Sequence, residues 1–256
     1  LRDVILYEFP LNERIRLFIR LEQLFHQLDH FMQGSSVWDC RAAVSHLIEL
    51  VSISSRSDLR SEAMQEIDRQ TSTLNRMTRL HSGVDHRMLN QAIERLESLN
   101  RELFANPGKL GITVMEDEFF KSVVQRSGMP GGASSFDLPS YHRWLEADPG
   151  VRHAQLTEWL QPFLPVRASV DTLLNFIRTS AVPVKEESVA GFYQKALDHA
   201  MPFQLLRVGV PIAAPYFAEI SGGKHRFTIR FMDRDVNQRP VQTSENVPFY
   251  LTCCLF

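Results

Sequence analysis

The sequence predicts an α+β protein, a mainly helical domain inserted between an N-terminal strand and a C-terminal β-sheet domain. From Asn12 to about Arg178 the apolar residues recur at helical spacing. Val4–Phe9 has no helical period and stops at Pro10, so it reads as a strand. After Pro183, short β-prone runs alternate with turn residues. The boundaries that follow are residues 11–180 for the helical domain and residues 1–10 plus 181–256 for the β domain. Helices set between strands of one sheet give α+β architecture.

In chain order, Ile15, Phe18, Phe25, Leu28 and Met32 mark a first long helix, with Asn12 placed to cap it. A second covers Ser36–Ser52, with Val37, Ala43, Leu47 and Val51 as its apolar stripe. Leu59, Ala63, Ile67, Leu74 and Met77 give a third. A fourth begins near Asp85 and stops before Pro107-Gly108, a strong breaker. Shorter helices are expected at about 115–126, 139–147, 151–161 and 166–179. The expected C-terminal strands are Gln204–Val210, Phe227–Phe231 and Val247–Leu251.

A chain of 256 residues is long enough to stand on an apolar core without disulfides or metal. Its net charge of −2 argues against bulk affinity for nucleic acid or anionic membrane. No run of ~18 apolar residues marks a membrane span. Residues 1–10 hold Arg2, Asp3 and Glu8 and lack the apolar centre of a signal peptide. Three cysteines without paired spacing fit a reducing compartment, so a cytoplasmic protein is expected. No cofactor is expected, because neither GxxxxGK[ST] nor GxGxxG occurs.

The most informative stretch is Lys224-His225-Arg226-Phe227-Thr228-Ile229-Arg230-Phe231. On a strand, Lys224, Arg226, Thr228 and Arg230 would share one face, with cations about 6.6–7 Å apart. His225, Phe227, Ile229 and Phe231 would form the core face, and Ser221-Gly222-Gly223 would be the turn that sets the strand's start. Residues 204–239 carry a balance of +3, leaving −5 for the remainder, which favours an acidic and specific partner. The ordinary reading is a solvent face that uses Lys and Arg to blunt edge pairing. A row of cations without an interleaved acid argues for more, because like charges repel along a sheet. The same basic face offers an alternative, a nucleic-acid-binding module. That reading wants aromatics beside the cations, whereas Phe227 and Phe231 alternate away.

Other candidates are weaker. Ser134, Ser135, Asp137 and His142 fall close together, but no nucleophile elbow frames them, and Asp137 or Ser135 reads better as a helix cap. Glu22, His26 and His30 stack along one helix face, yet there is no HExxH and no further ligand cluster, so no metal is expected. Cys253-Cys254 reads as packing in a final strand. No catalytic residue is assigned, and the expected class is a non-enzymatic binding protein.

Several motifs together resemble the bacterial cell-division proteins called ZapD. They are Glu8-x-Pro10-Leu11-Asn12-Glu13 with Arg16 and Arg20-x-Glu22, and Leu59-Arg60-x-Glu62 with Glu66-x-Asp68-Arg69-Gln70. Pro130-Gly131-Gly132 with Ser135-Phe136-Asp137-Leu138-Pro139 and His142-x-Trp144-Leu145 is the most specific. Ile177-Arg178 with Ser180, Gly191-Phe192-Tyr193, and Ile220-Ser221-Gly222 running through Lys224 and Arg226 to Met232 complete a match spanning essentially the whole chain in order. The resemblance implies a cytoplasmic homodimer at midcell that uses no nucleic acid or membrane. It would bind the C-terminal tail of FtsZ, the tubulin-like GTPase of the division ring, and bundle its filaments. By matching position, it carries tail binding to Arg56, His142, Arg226 and Arg230, with Lys224 and Arg178 as additions. One position departs: the family pattern has an Arg after the Glu-Asp pair, where this chain has Glu118 after Glu116-Asp117.

Overall fold

The computed structural model describes residues 3–80, 86–105, 110–223, 225–233 and 239–255. Among them, strand β1 (Val4–Pro10) is followed by the helices α1 (Glu13–Met32), α2 (Val37–Arg56), α3 (Leu59–Leu80), α4 (His86–Ala105), α5 (Ile112–Met115), α6 (Glu118–Ser127), α7 (Pro139–Leu145), α8 (Pro149–Leu160) and α9 (Leu164–Thr179). The strands β2 (Val184–Glu187), β3 (Phe192–Ala196), β4 (Leu205–Pro211), β5 (Tyr216–Gly222), β6 (Arg226–Asp233), β7 (Val241–Gln242) and β8 (Pro248–Cys254) close the order. The expected α+β class, helices set between an N-terminal strand and C-terminal strands, is what the chain adopts. Two compact units result, one of residues 20–173 and one of residues 1–19 with 174–256. The division falls inside α1 and α9. Their ends are tied to the strand unit by Asn12 Nδ2 on Gln204 Oε1, and by Ser180 Oγ accepting from the Leu255 amide.

In the helical unit, Leu21, Phe25, Leu28, Ala43, Leu47 and Leu50 are completely buried, as the helical period of α1 and α2 requires. Asn12 caps α1 as expected, its Oδ1 accepting from the Ile15 amide at 2.9 Å. At the start of α2, Ser36 Oγ accepts from the Asp39 amide while Asp39 Oδ2 accepts from the Ser36 amide, a reciprocal capping box. Ser36→Ala should cost about 1 kcal/mol in denaturant unfolding, because the Asp39 amide in the first turn loses its acceptor. Helix α4 packs along α3, with Asn100 Nδ2 donating to Asp68 Oδ1. The buried Glu66 takes both arms of the Arg69 fork and the Gln70 amide. Arg167 grips Asp29 by a second fork, joining α9 to α1.

The cap expected at Ser135 or Asp137 does not form. Leu138 is the N-cap of α7 and supplies no side-chain acceptor, while Pro139 follows it, and Asp137 Oδ2 instead accepts from Ser134 Oγ at 3.0 Å. A proline in the first helical turn has no amide to cap, which lowers the need for one.

The strand unit holds two antiparallel sheets, one ordered β1-β4-β8-β2 and the other β3-β6-β5 with β7 against β6. β4 separates the N-terminal strand from the C-terminal one, so both chain ends share a sheet. Leu206, Val208, Val210, Phe227, Ile229, Phe231, Phe249 and Leu251 from both sheets form one buried apolar cluster. The strands β2, β3, β5 and β7 were not expected from the sequence. β2 and β3 are short and mostly exposed, so they lack the alternation that marks a half-buried strand. β5 runs through Ser221-Gly222, residues read above as a turn.

Candidate cationic strand site

The alternation expected of β6 holds. Phe227, Ile229 and Phe231 are fully buried, and Arg226 and Arg230 are exposed with Thr228 between them. Three buried apolar anchors fix the strand, so the two guanidinium groups project from one rigid face about 13–14 Å apart at their roots. Neither arginine has an ion-pair partner among the described residues. His225, expected on the core face, is exposed and lies just before the strand begins. Its Nδ1 is 2.7 Å from His199 Nδ1, one ring donating to the other. A residue in the turn before a strand is not bound by the strand's alternation. Lys224 lies outside the described residues.

Cross-strand pairing supplies neighbours that the linear pattern hides. β3 places Phe192 opposite Arg230, Gln194 opposite Thr228 and Ala196 opposite Arg226. β5 places Glu219 opposite Arg230 and Ser221 opposite Thr228. Directly paired residues in an antiparallel sheet share a face. The cationic face therefore carries an acid, Glu219, and an aromatic, Phe192, which is 37% exposed. Both correct the reading of an acid-free and aromatic-free face. Gln194, Ser221, Gly222, His225, Arg226 and Thr228 line a shallow depression of about 480 Å³ beside Arg226, in which the Ser221 and Thr228 hydroxyls meet at 2.8 Å. The depression offers hydroxyl and amide groups beside a cation, a chemistry suited to a carboxylate. The GlyPheTyr motif at 191–193 was the available signal for Phe192. Nothing local marked Glu219 or Gln194.

Arg178, also in the strand unit, is engaged. Its Nε and Nη2 donate to the two Glu8 oxygens at 2.8 and 2.7 Å, and Arg207 Nε lies 2.9 Å from Glu8 Oε1 without hydrogen-bond alignment. Arg56 and His142 belong to the helical unit, and both are exposed. Arg56 ends α2, whereas His142 follows Tyr141, whose ring lies under Arg41 in the first turns of α2. Arg41 and Arg56 are separated by roughly 22 Å along the helix axis at 1.5 Å per residue. The fold thus groups Arg226 with Arg230 and keeps Arg56 away from His142.

The remaining chemical candidates have settled positions. Among the described residues, no three His, Cys, Asp or Glu side chains converge to hold a metal ion. Ser134 donates to Asp137, as noted above. Burial pushes the Cys254 thiol up to about 12 and raises that of Cys253, so neither is a thiolate at neutral pH. No described helix is long and apolar enough to cross a membrane.

Comparison with known proteins gives consistent matches. The profile of a family described as ZapD, a cell division protein, matches residues 19–230. A cell division protein ZapD from Methylococcus capsulatus is 51% identical over 255 residues, covering 100% of both chains. A relative of the same name from Nitrosomonas europaea is 35% identical over 254 residues, covering 99% of this chain and 96% of its own. Another, from Ralstonia nicotianae, is 35% identical over 254 residues, covering 99% of this chain and 100% of its own.

Proposed function

Because this chain belongs to the ZapD family of cell division proteins, we propose that it binds the C-terminal tail of FtsZ and cross-links FtsZ filaments, acting without catalysis. The observation that carries this reading is the β6 face, where two exposed arginines free of ion pairs among the described residues stand beside an exposed Phe192. An acidic tail supplies carboxylates for the guanidinium forks and apolar side chains for the ring.

In this reading Arg226 and Arg230 are the centre of the strand-unit site, and Lys224 is added to them from its place in the sequence. Arg178 is a further contact on the strand unit, and Arg56 and His142 are separate contacts for the tail on the helical unit. Arg178 would have to divide its fork between Glu8 and the tail. A two-fold homodimer would present two such sites, and many tails along a filament multiply the strength of individually weak grips. The protein would then work in the cytoplasm at midcell.

Co-sedimentation with FtsZ filaments assembled in GTP tests the proposal. The chain should pellet with intact filaments and thicken them into bundles, and filaments lacking the tail should leave it in the supernatant. Because the contacts are exposed charges, tail-peptide affinity should fall roughly tenfold between low and moderately high salt, as the Debye length shortens. A gel shift with DNA at moderate salt checks the rival reading, which gains only one aromatic from Phe192. No shift is expected.

A further inference from the structure

The helical unit carries a second open surface, apart from β6. Trp38, in the first turn of α2, is 77% exposed, and Met129, in the loop after α6, is 51% exposed. They share a groove of about 420 Å³ with Arg41, Ala133 and the backbone of Gly131-Gly132, and Arg41 is the charged residue among its lining side chains. Large apolar side chains exposed side by side mark interaction surfaces more often than isolated ones do.

Arg41 is positioned but not neutralised. Its guanidinium lies 5.9 Å from the Trp38 ring and 5.4 Å from the Tyr141 ring, and both Nη atoms reach the Ala133 carbonyl only at 3.4 Å. The nearby acids are committed elsewhere. Asp39 Oδ2 takes the Ser36 amide and hydroxyl, which hold its carboxyl below the usual range, and Asp137 takes the Ser134 hydroxyl. Arg126 flanks the groove, its Nη1 3.9 Å from Met129 Sδ. The wall must stay thin at Gly132, where a Cβ would stand 2.3 Å from the Arg126 carbonyl oxygen.

We propose that this groove docks an acidic peptide segment, seating one apolar side chain between Trp38 and Met129 and a neighbouring carboxylate on Arg41. The inference rests on the reading of the FtsZ tail as ligand and gives that tail a hold on the helical unit. An Arg held close to two rings is pre-organised for a carboxylate, because its side chain is already positioned.

The test uses the full-length protein labelled with 5-fluorotryptophan, the Trp38 resonance being assigned with Trp38→Phe, and the FtsZ tail peptide as probe. Fluorine NMR should show the Trp38 resonance shifting on titration. Anisotropy should show Trp38→Ala and Arg41→Gln each weakening binding about tenfold, the loss expected for an interface anchor, with an unchanged melting temperature for Trp38→Ala. If the peptide binds through Arg226 and Arg230 while the Trp38 resonance stays still and Trp38→Ala binds normally, the groove is overturned and the β6 reading stands. If the peptide does not bind the wild type, both fail. If Trp38→Ala changes the sedimentation of the peptide-free protein, the groove belongs to a second copy of the chain, and the proposal is again overturned.

Discussion

Replacing Arg226 and Arg230 together by Glu should abolish FtsZ-tail binding and filament bundling while leaving a folded protein of wild-type sedimentation. Both side chains are exposed, and the strand that carries them is held by Phe227, Ile229 and Phe231 on its opposite face. The fold therefore has no use for their charge. Charge-assisted hydrogen bonds contribute about 1.5–3 kcal/mol each, so losing two should weaken binding by a hundredfold or more. Reversal adds repulsion to that loss. It also sets a carboxylate at position 230 opposite Glu219, a like-charge pair costing about 0.2–1 kcal/mol. The neutral variant Arg226→Gln with Arg230→Gln avoids that strain and should lose most of the same binding. Peptide anisotropy and light scattering of assembled filaments measure both. A folded double variant that still bundles filaments would remove β6 from the site altogether.

The parts of this surface that could be read in advance are those encoded along one strand. Alternation placed Arg226 and Arg230 outward and Phe227, Ile229 and Phe231 inward, because a pleated strand leaves a side chain no other choice. Helix positions were legible for the same reason, down to Asn12 as the cap of α1. What could not be read was set by pairing between distant segments. Phe192 and Glu219 meet Arg230 only because β3 and β5 flank β6 in a particular register, and that register answers to the buried cluster of both sheets. The misplaced features lie at element ends. His225 escaped the core face because it precedes the strand, and Ser221-Gly222 stayed in β5 although both residues favour turns. Local preference decides little where hydrogen-bonded pairing can continue past it. Arg178 shows the opposite difficulty: its motif was visible, but its partner Glu8 is far away in sequence.

That pair yields the second large expected effect. Glu8 in β1 stands directly across from Arg207 in β4 and accepts both arms of the Arg178 fork. All three side chains are mostly buried, with 17% of Glu8 and 22% of each arginine exposed. Glu8→Gln therefore removes the carboxylate that both guanidinium groups face in a poorly solvated place. Breaking a buried pair from one side costs about 3–5 kcal/mol, and partial exposure should bring this to about 2–4 kcal/mol. At about 2–4 °C per kcal/mol for a chain of this size, the melting temperature should drop by roughly 4–16 °C. Arg178→Gln should destabilise less, because Arg207 still faces Glu8 and keeps it from being orphaned. The same variant decides what Arg178 does. Because Nε and Nη2 are committed to Glu8, Arg178 can give the tail only a peripheral contact, so tail affinity measured well below the melting transition should stay within about threefold of wild type. A loss of ten times or more in a fully folded Arg178→Gln protein would put the guanidinium on the tail, and Glu8 would then be the residue that aims it.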